Sequence, residues 1–176
     1  MANYTIDTAH SAAQFKVRHM MIANVKGEFT NVSGTVSFDP ANPGAAVVEA
    51  AVDVSTISTR DPQRDGHLKS ADFFDVEKYP SITFKSKKIL NASATGADVL
   101  GDLTVHGVTK EVTLKVEDFS EEAKDPWGNM RRGASAKTKI NRKDFGMSFN
   151  VALEAGGFLV GEDVDINIDV ELIRQA

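Results

Sequence analysis

The stretch Val164-Asp165-Ile166-Asn167-Ile168-Asp169-Val170-Glu171-Leu172 decides the fold. Apolar and polar residues alternate across it without a break, and a strand is the regular structure that sends every second side chain to the same face. One face is aliphatic and the other acidic or amide. That is the signature of an antiparallel strand with one side on a core and the other in water. Asp165 and Asp169 are therefore expected to face solvent.

The same period of two appears elsewhere in the chain. It runs through Val48, Ala50, Val52 and Val54, through Ile82 and Phe84, and through Val99, Gly101, Leu103 and Val105. Val112, Leu114 and Val116 alternate with Glu111, Thr113, Lys115 and Glu117. Between Gly27 and Phe38 the phase changes, since Val25 and Phe29 are odd while Val32, Gly34, Val36 and Phe38 are even. A bulge or sharp bend near Thr30-Asn31 restores the facing. Turn residues separate the runs at Asp39 to Gly44, Asn91 to Gly96, His106-Gly107, Asp125 to Asn129 and Gly156-Gly157.

Few segments break the rhythm. Val17 to Ile22 and Asp65 to Phe74 are predicted to form short helices, and Asn141 to Asp144 a further helical turn. The expectation is an all-β fold of about eight antiparallel strands with two or three short helices. An open sheet of that size leaves long unpaired edges, and closure into a barrel removes them. At 176 residues, the chain reads as a single domain, 1–176, against a norm of roughly 150 residues per domain.

Composition excludes several function classes. The net charge of −5 and the isoelectric point near 5.4 lack the basic footprint of a nucleic-acid-binding surface. With no cysteine, thiolate catalysis, disulfide scaffolds, Cys-ligated zinc and iron–sulfur clusters are ruled out. No apolar run reaches the roughly 20 residues of a membrane helix. Aromatics at 7% are too sparse for the two interfacial girdles of a membrane-spanning barrel. The start, Met1 to Asp7, has no signal-peptide pattern, which places the chain as written in the cytoplasm; the periplasm is the alternative if the sequence is that of a mature exported chain.

Catalytic and metal motifs are wanting. His10, His19, His67 and His106 show no metal-ligand spacing. Asp7, His10 and Ser11 hold the letters of a hydrolase triad, but neighbouring strand residues point to opposite faces and no nucleophile elbow is present. The expectation is a protein that is not an enzyme, with no catalytic residue, no catalytic cofactor and no metal. The charged segment Arg60 to Lys69, running into Phe73 and Phe74, reads either as a solvated helix whose Leu68, Phe73 and Phe74 plug the core, or as a lid with the aromatics at a cavity mouth.

Several blocks resemble the YceI-like, polyisoprenoid-binding family. They are Ile6-Asp7-Thr8-Ala9-His10-Ser11, then Phe15 to His19 with Gly27-Glu28-Phe29, then Arg64 to Ser70 with Asp72-Phe73-Phe74-Asp75 and Tyr79 to Ser86. Gly101 to Lys110 and Asn141 to Met147 follow in the family's order. The resemblance implies a lipocalin-like antiparallel barrel whose hydrophobic cavity holds an isoprenoid quinone or another long-chain amphiphile. It also implies a role in transport, storage or stress response, and, because members are often dimeric, a homodimer to be tested.

Strand phase and position in these blocks select the candidate wall residues Phe15, Val17, Phe29, Val36, Val52, Phe84, Leu103, Val105 and Ile168. Met20, Phe73, Phe74, Phe145, Met147 and Phe149 are placed near the ends of the tube. Arg18, His19 and His67 are candidates to meet a polar head group. Two rivals stay open: an enzyme acting on a quinone or lipid with His19 or His67 as general base, and a packed barrel serving as a stress-related interaction protein.

Overall fold

The computed structural model describes residues 1–154 and 156–176. Its strands are β1 (Ala2–Ile6), β2 (Ala12–His19), β3 (Ala23–Phe29), β4 (Val32–Phe38), β5 (Val47–Asp53), β6 (Ile57–Ser58), β7 (Ser81–Leu90), β8 (Ala97–Val105), β9 (Val108–Glu117), β10 (Ala123–Lys124), β11 (Met130–Asn141) and β12 (Val160–Arg174). The one α-helix described, α1, spans Pro62–Lys69, and short 3-10 turns occupy Thr8–His10, Pro43–Ala45, Val54–Thr56 and Arg142–Phe145.

All pairings are antiparallel. The order β11-β9-β8-β7-β5-β4-β1-β12 closes on itself because β12 also pairs with β11, from Arg131↔Ile173 to Asn141↔Asp163. Eight strands therefore form a closed barrel. Of the remaining four, β2, β3 and β6 continue from the other half of β12, and the two-residue β10 pairs with the start of β11. The long alternating strand serves two neighbours in turn: its end pairs with β1 at Tyr4↔Arg174, and its first two thirds with β2 from Val160↔His19 to Asp169↔Ala12. The 3-10 turn at Thr8–His10 divides β1 from β2, with Asp7 accepting from the Ala9 N–H as its cap.

Alternation runs inward as expected. Val164, Ile166, Ile168, Val170 and Leu172 all line the barrel interior, while Asp165 reaches Lys16 and Lys139 at 3.6 Å on the outside. An apolar lumen under a charged outer face is the reverse of a membrane-spanning barrel, which carries its apolar band outward. Among the described residues, no helix is long and apolar enough to cross a membrane.

The bend near Thr30-Asn31 is where the chain changes partners. β3 pairs with β2 and β6, whereas β4 pairs with β1 and β5. The Thr56 hydroxyl oxygen accepts from the Thr30 and Asn31 N–H groups, so the corner leaves neither donor stranded. Phe29 and Val32, on either side of it, are both buried.

The helix expected over Val17 to Ile22 is absent: β2 runs to His19 and β3 begins at Ala23. Ile22 N–H donates to the His19 carbonyl at 3.2 Å, with Met20 and Met21 at φ of 52° and 63°. These are the signs of a type I′ hairpin turn. Cross-strand pairing of Val17 with Val25 and with Val164 supplies more partners than one turn of helix could. The second expected helix, Asp65 to Phe74, is displaced. It starts earlier because the Asp61 carboxylate caps the Gln63 and Arg64 N–H groups and Pro62 occupies the first turn. It ends at Lys69, after which turns carry the chain to Tyr79. The helical turn near Asn141 is present as the 3-10 turn Arg142–Phe145, capped by Asn141.

Candidate functional site

The barrel interior holds a cavity of about 260 Å³. Among the described residues, no charged side chain lines it. Strand periodicity is the cause, because every strand of the ring delivers one apolar face to the same axis.

Most of the wall residues selected from the sequence do line this cavity: Phe15 on β2, Phe29 on β3, Val36 on β4, Val52 on β5, Phe84 on β7, Leu103 and Val105 on β8, and Ile168 on β12. Phe74 and Met147 line it from the segments that follow α1 and the Arg142–Phe145 turn. Phe15 packs on Phe29 at 5.5 Å between ring centres, and Phe29 meets Phe74 edge-on at 5.7 Å. Gly27 permits this arrangement, since a Cβ there would overlap the Phe15 ring.

The other candidates lie off the wall. Val17 sits two residues beyond Phe15 on β2, opposite Val164, and does not line the cavity, and Met20 is exposed at the hairpin tip. Phe73 and Phe149 pack on the His67 ring and on each other at 5.1–5.2 Å, outside the cavity. Phe145 is buried in the cluster behind Phe84 and Leu103. Sequence reasoning missed Phe38, Val48, Ile89, Val99 and Phe119, which do line the cavity. Strand phase marks Phe38, Val48 and Val99; Ile89 faces inward only because of the register shift between Ser86 and Lys88, and Phe119, in a loop, carries no such signal.

The polar candidates are engaged elsewhere. An Arg18 guanidinium nitrogen donates to the Met21 carbonyl at 3.2 Å, bracing the hairpin turn. His67 Nε2 is 2.8 Å from an Asp72 carboxylate oxygen, fastening the helix to the turn after it. His19 closes the β2–β3 hairpin opposite Ala23. None of the three lines the cavity. The helical segment is thus a plug whose Leu68 and Phe74 join the core, while Phe73 is buried beneath it.

An arginine cluster stands at each end of the barrel. At the helical end, the buried Arg142 donates to the carbonyls of Gly161 (2.8 Å), Met147 (2.7 Å) and Val160 (3.2 Å), tying the last loop across the barrel. Burial lowers its pKa from the usual guanidinium value. At the opposite end, Arg132 points inward, donates to the Tyr4 hydroxyl at 3.1 Å and to the Ser120 carbonyl at 2.9 Å, and lies 3.7 Å from Glu122. Its guanidinium stands 5.3 and 5.1 Å from the ring centres of Phe38 and Phe119, an edge-on pair that forms the cavity's end wall. Glu122 titrates below the ordinary carboxylate range, chiefly through its hydrogen bond from Arg174.

The letters of a triad do not assemble. His10 Nδ1 is 2.8 Å from Asp7, but the buried Ser11 hydroxyl oxygen accepts from the Glu171 N–H at 3.1 Å. Asp7, His10 and Glu171 gather within 4.8 Å of one another. The Arg131 guanidinium already occupies the centre of this group, 2.7 Å from Asp7 and 3.1 Å from Glu171. The cluster is an ion-pair network on the outer wall.

A closed eight-stranded antiparallel barrel around an apolar cavity defines a lipocalin-like protein. The YceI-like domain model matches residues 4–172, and the chain belongs to that family. A UPF0312 protein of Staphylococcus aureus is 38% identical over 172 residues, covering 97% of each chain. A UPF0312 protein of Vibrio cholerae is 40% identical over 148 residues, 83% of this chain and 78% of that one. Among solved structures, a Campylobacter jejuni YceI protein superposes with a TM-score of 0.73 at 32% identity, over 90% of both chains. Burkholderia cenocepacia BcnA superposes at 0.79 with 24% identity, over 94% of this chain and 98% of that one. A polyisoprenoid binding domain from Saccharophagus degradans, implicated in plant cell wall breakdown, superposes at 0.70 with 17% identity over 98% of each chain. The last two likenesses are of fold.

Proposed function

We propose that this protein is a noncatalytic carrier or store for an isoprenoid lipid, held by its tail inside the barrel. The observation that carries this reading is the apolar cavity of about 260 Å³ inside the barrel, with no charged side chain among its described lining residues. At about 10–15 Å³ for each water-sized group, that is room for on the order of twenty heavy atoms, or about four prenyl units. Each methylene taken from water contributes ~0.8 kcal/mol, less the cost of ordering the chain. A site with no charged lining group discriminates tails by length and width, and leaves selectivity for the head group to residues near the opening.

The polyisoprenoid binding domain that shares the fold supports the ligand class. The rival enzymatic reading loses its general base, since His19 and His67 lie away from the cavity and are held by the hairpin and by Asp72. Quinones, polyprenyl alcohols and their phosphates all satisfy the tail requirement. A homodimer and a part in stress responses remain proposals that accompany the family resemblance.

The test is solvent extraction and native mass spectrometry of protein purified without detergent. A copurifying prenyl lipid near one per chain is expected, together with saturable uptake of an added twenty-carbon isoprenoid. A lipid-free protein that also fails to take up such a probe overturns the proposal.

A further inference from the structure

Among the described residues, two ladders of the eight-stranded ring stop well short of their strands' ends, and the gaps are finished differently. β9 and β11 pair only over Lys115↔Lys137 to Glu117↔Ser135. The space below that ladder is filled by Phe145 and Met147, 1% and 5% exposed, packed with Val108, Val112 and Ile140. The second interruption lies between β5 and β7, which pair from Asp53↔Ser81 only as far as Glu49↔Lys85.

Beyond that point a register shift between Ser86 and Lys88 turns β7 away toward β8, which it follows to Leu90↔Asp98. The Ser86 hydroxyl oxygen accepts from the Val48 N–H at 2.8 Å, where a ladder bond would otherwise stand. What closes the remaining space is not a buried aromatic. It is two loops: Pro43 and Ala46 on one side, Ala92 and Ser93 on the other, all lining the cavity. Ala92 and Ser93 are also exposed to solvent, and Val47 and Leu90 flank the gap at 48% and 36% exposure.

Arg142 spans the helical end, and Arg132 stands on Phe38 and Phe119 at the other, where the Phe119 N–H meets the Thr95 carbonyl of the β7–β8 turn. We infer that the seam between the Pro43–Ala46 and Ala92–Ser93 loops at this end is the portal through which an isoprenoid tail enters and leaves. The inference rests on the lipid-carrier reading and locates its site. The tail then runs from the seam toward Phe29 and Phe74, and the head group stays at the loops. A rim of small side chains suits this role, because Pro43, Ala46, Ala92 and Ser93 can part without exposing a large core residue.

The chain contains no cysteine, so single thiols can be placed cleanly. Ala92→Cys puts one at the seam and Ala71→Cys puts one beside the helical end; both positions are exposed. Each variant is reacted with a bulky maleimide, and uptake of all-trans-retinol, a fluorescent twenty-carbon isoprenoid, is followed by stopped flow. Folding is checked by circular dichroism. The expected result is that the label at position 92 slows uptake about tenfold or more while the label at 71 leaves it within about twofold, a contrast in rate that a shared effect on stability would not produce. Slowing by the label at 71 and not at 92 overturns the portal while leaving the carrier reading in place. An unlabelled protein that binds no retinol and yields no copurifying lipid overturns both.

Discussion

Phe74 meets Phe29 edge-on, 5.7 Å between ring centres and 85° between planes, where the segment after the helix enters the barrel. Both rings line the cavity. The two rings come from distant parts of the chain, so the depth of the tube is set by how far the plug is inserted.

Shortening the plug should deepen the tube. Phe74→Ala is expected to cost about 2–3 kcal/mol, below the usual 3–5 for a fully buried phenylalanine because Phe74 is only half-buried. Tails longer than about four prenyl units should gain affinity relative to shorter ones. A titration with isoprenoid alcohols of increasing length checks it; unchanged length preference shows that the floor lies elsewhere.

Filling the tube should separate binding from folding. Leu103 lines the cavity on β8, beside Phe84. Overpacking a filled core costs about 1–3 kcal/mol, but beside open space the larger ring of Leu103→Trp has somewhere to go. The lipid-free variant is expected to melt within a few degrees of the parent, and retinol binding to fall at least about tenfold, the equivalent of roughly 1.4 kcal/mol. A much lower melting point with binding per folded molecule unaffected marks Leu103 as ordinary core.

Charges on the outer face of β12 should matter little. Asp169→Asn at an exposed site is expected to change stability by no more than about ±0.5 kcal/mol. Asp165→Asn removes exposed pairs with Lys16 and Lys139 and should cost under about 1 kcal/mol. Denaturant melts measure both, and a loss of several kcal/mol from Asp169→Asn contradicts the facing of the strand.

Acid should weaken the Arg131 network. The Arg131 guanidinium holds the Asp7 and Asp125 carboxyls below their ordinary value of 3.8. A carboxylate with a depressed folded pKa contributes stability above its unfolded pKa and loses it as pH falls through the folded value. Arg131→Met should therefore melt lower than the parent near neutrality, with the gap closing as pH drops below about 4. A gap that persists unchanged at about pH 2 assigns the role of Arg131 to packing.

Period-two alternation made the strands and their facing legible, because side-chain direction in a strand depends on residue parity alone. Val164 to Leu172 and Val99 to Val105 point inward as that rule requires, and the wall candidates on β4, β5, β7 and β8 followed from it. The hairpin at Met20-Met21 did not follow. Methionine is a good helix former, and only the pairing of β2 with β3 and β12 makes two left-handed residues acceptable there.

The site divides along the same line. That an apolar tube exists was determined by the sequence, through alternation and closure. Where the tube ends, where it opens and which polar groups stand near it were decided only by tertiary structure. Phe145 and Phe74 are both aromatics close to a short helical element, yet one is buried behind the wall and the other lines the cavity. Arg132 stands on Phe38 and Phe119 at one end of the barrel, whereas Arg18 braces an outer hairpin. The seam beside β7 exists because a register shift after Ser86 ends one ladder while the other continues. Such facts depend on contacts between residues far apart in the chain, and local periodicity carries no information about them.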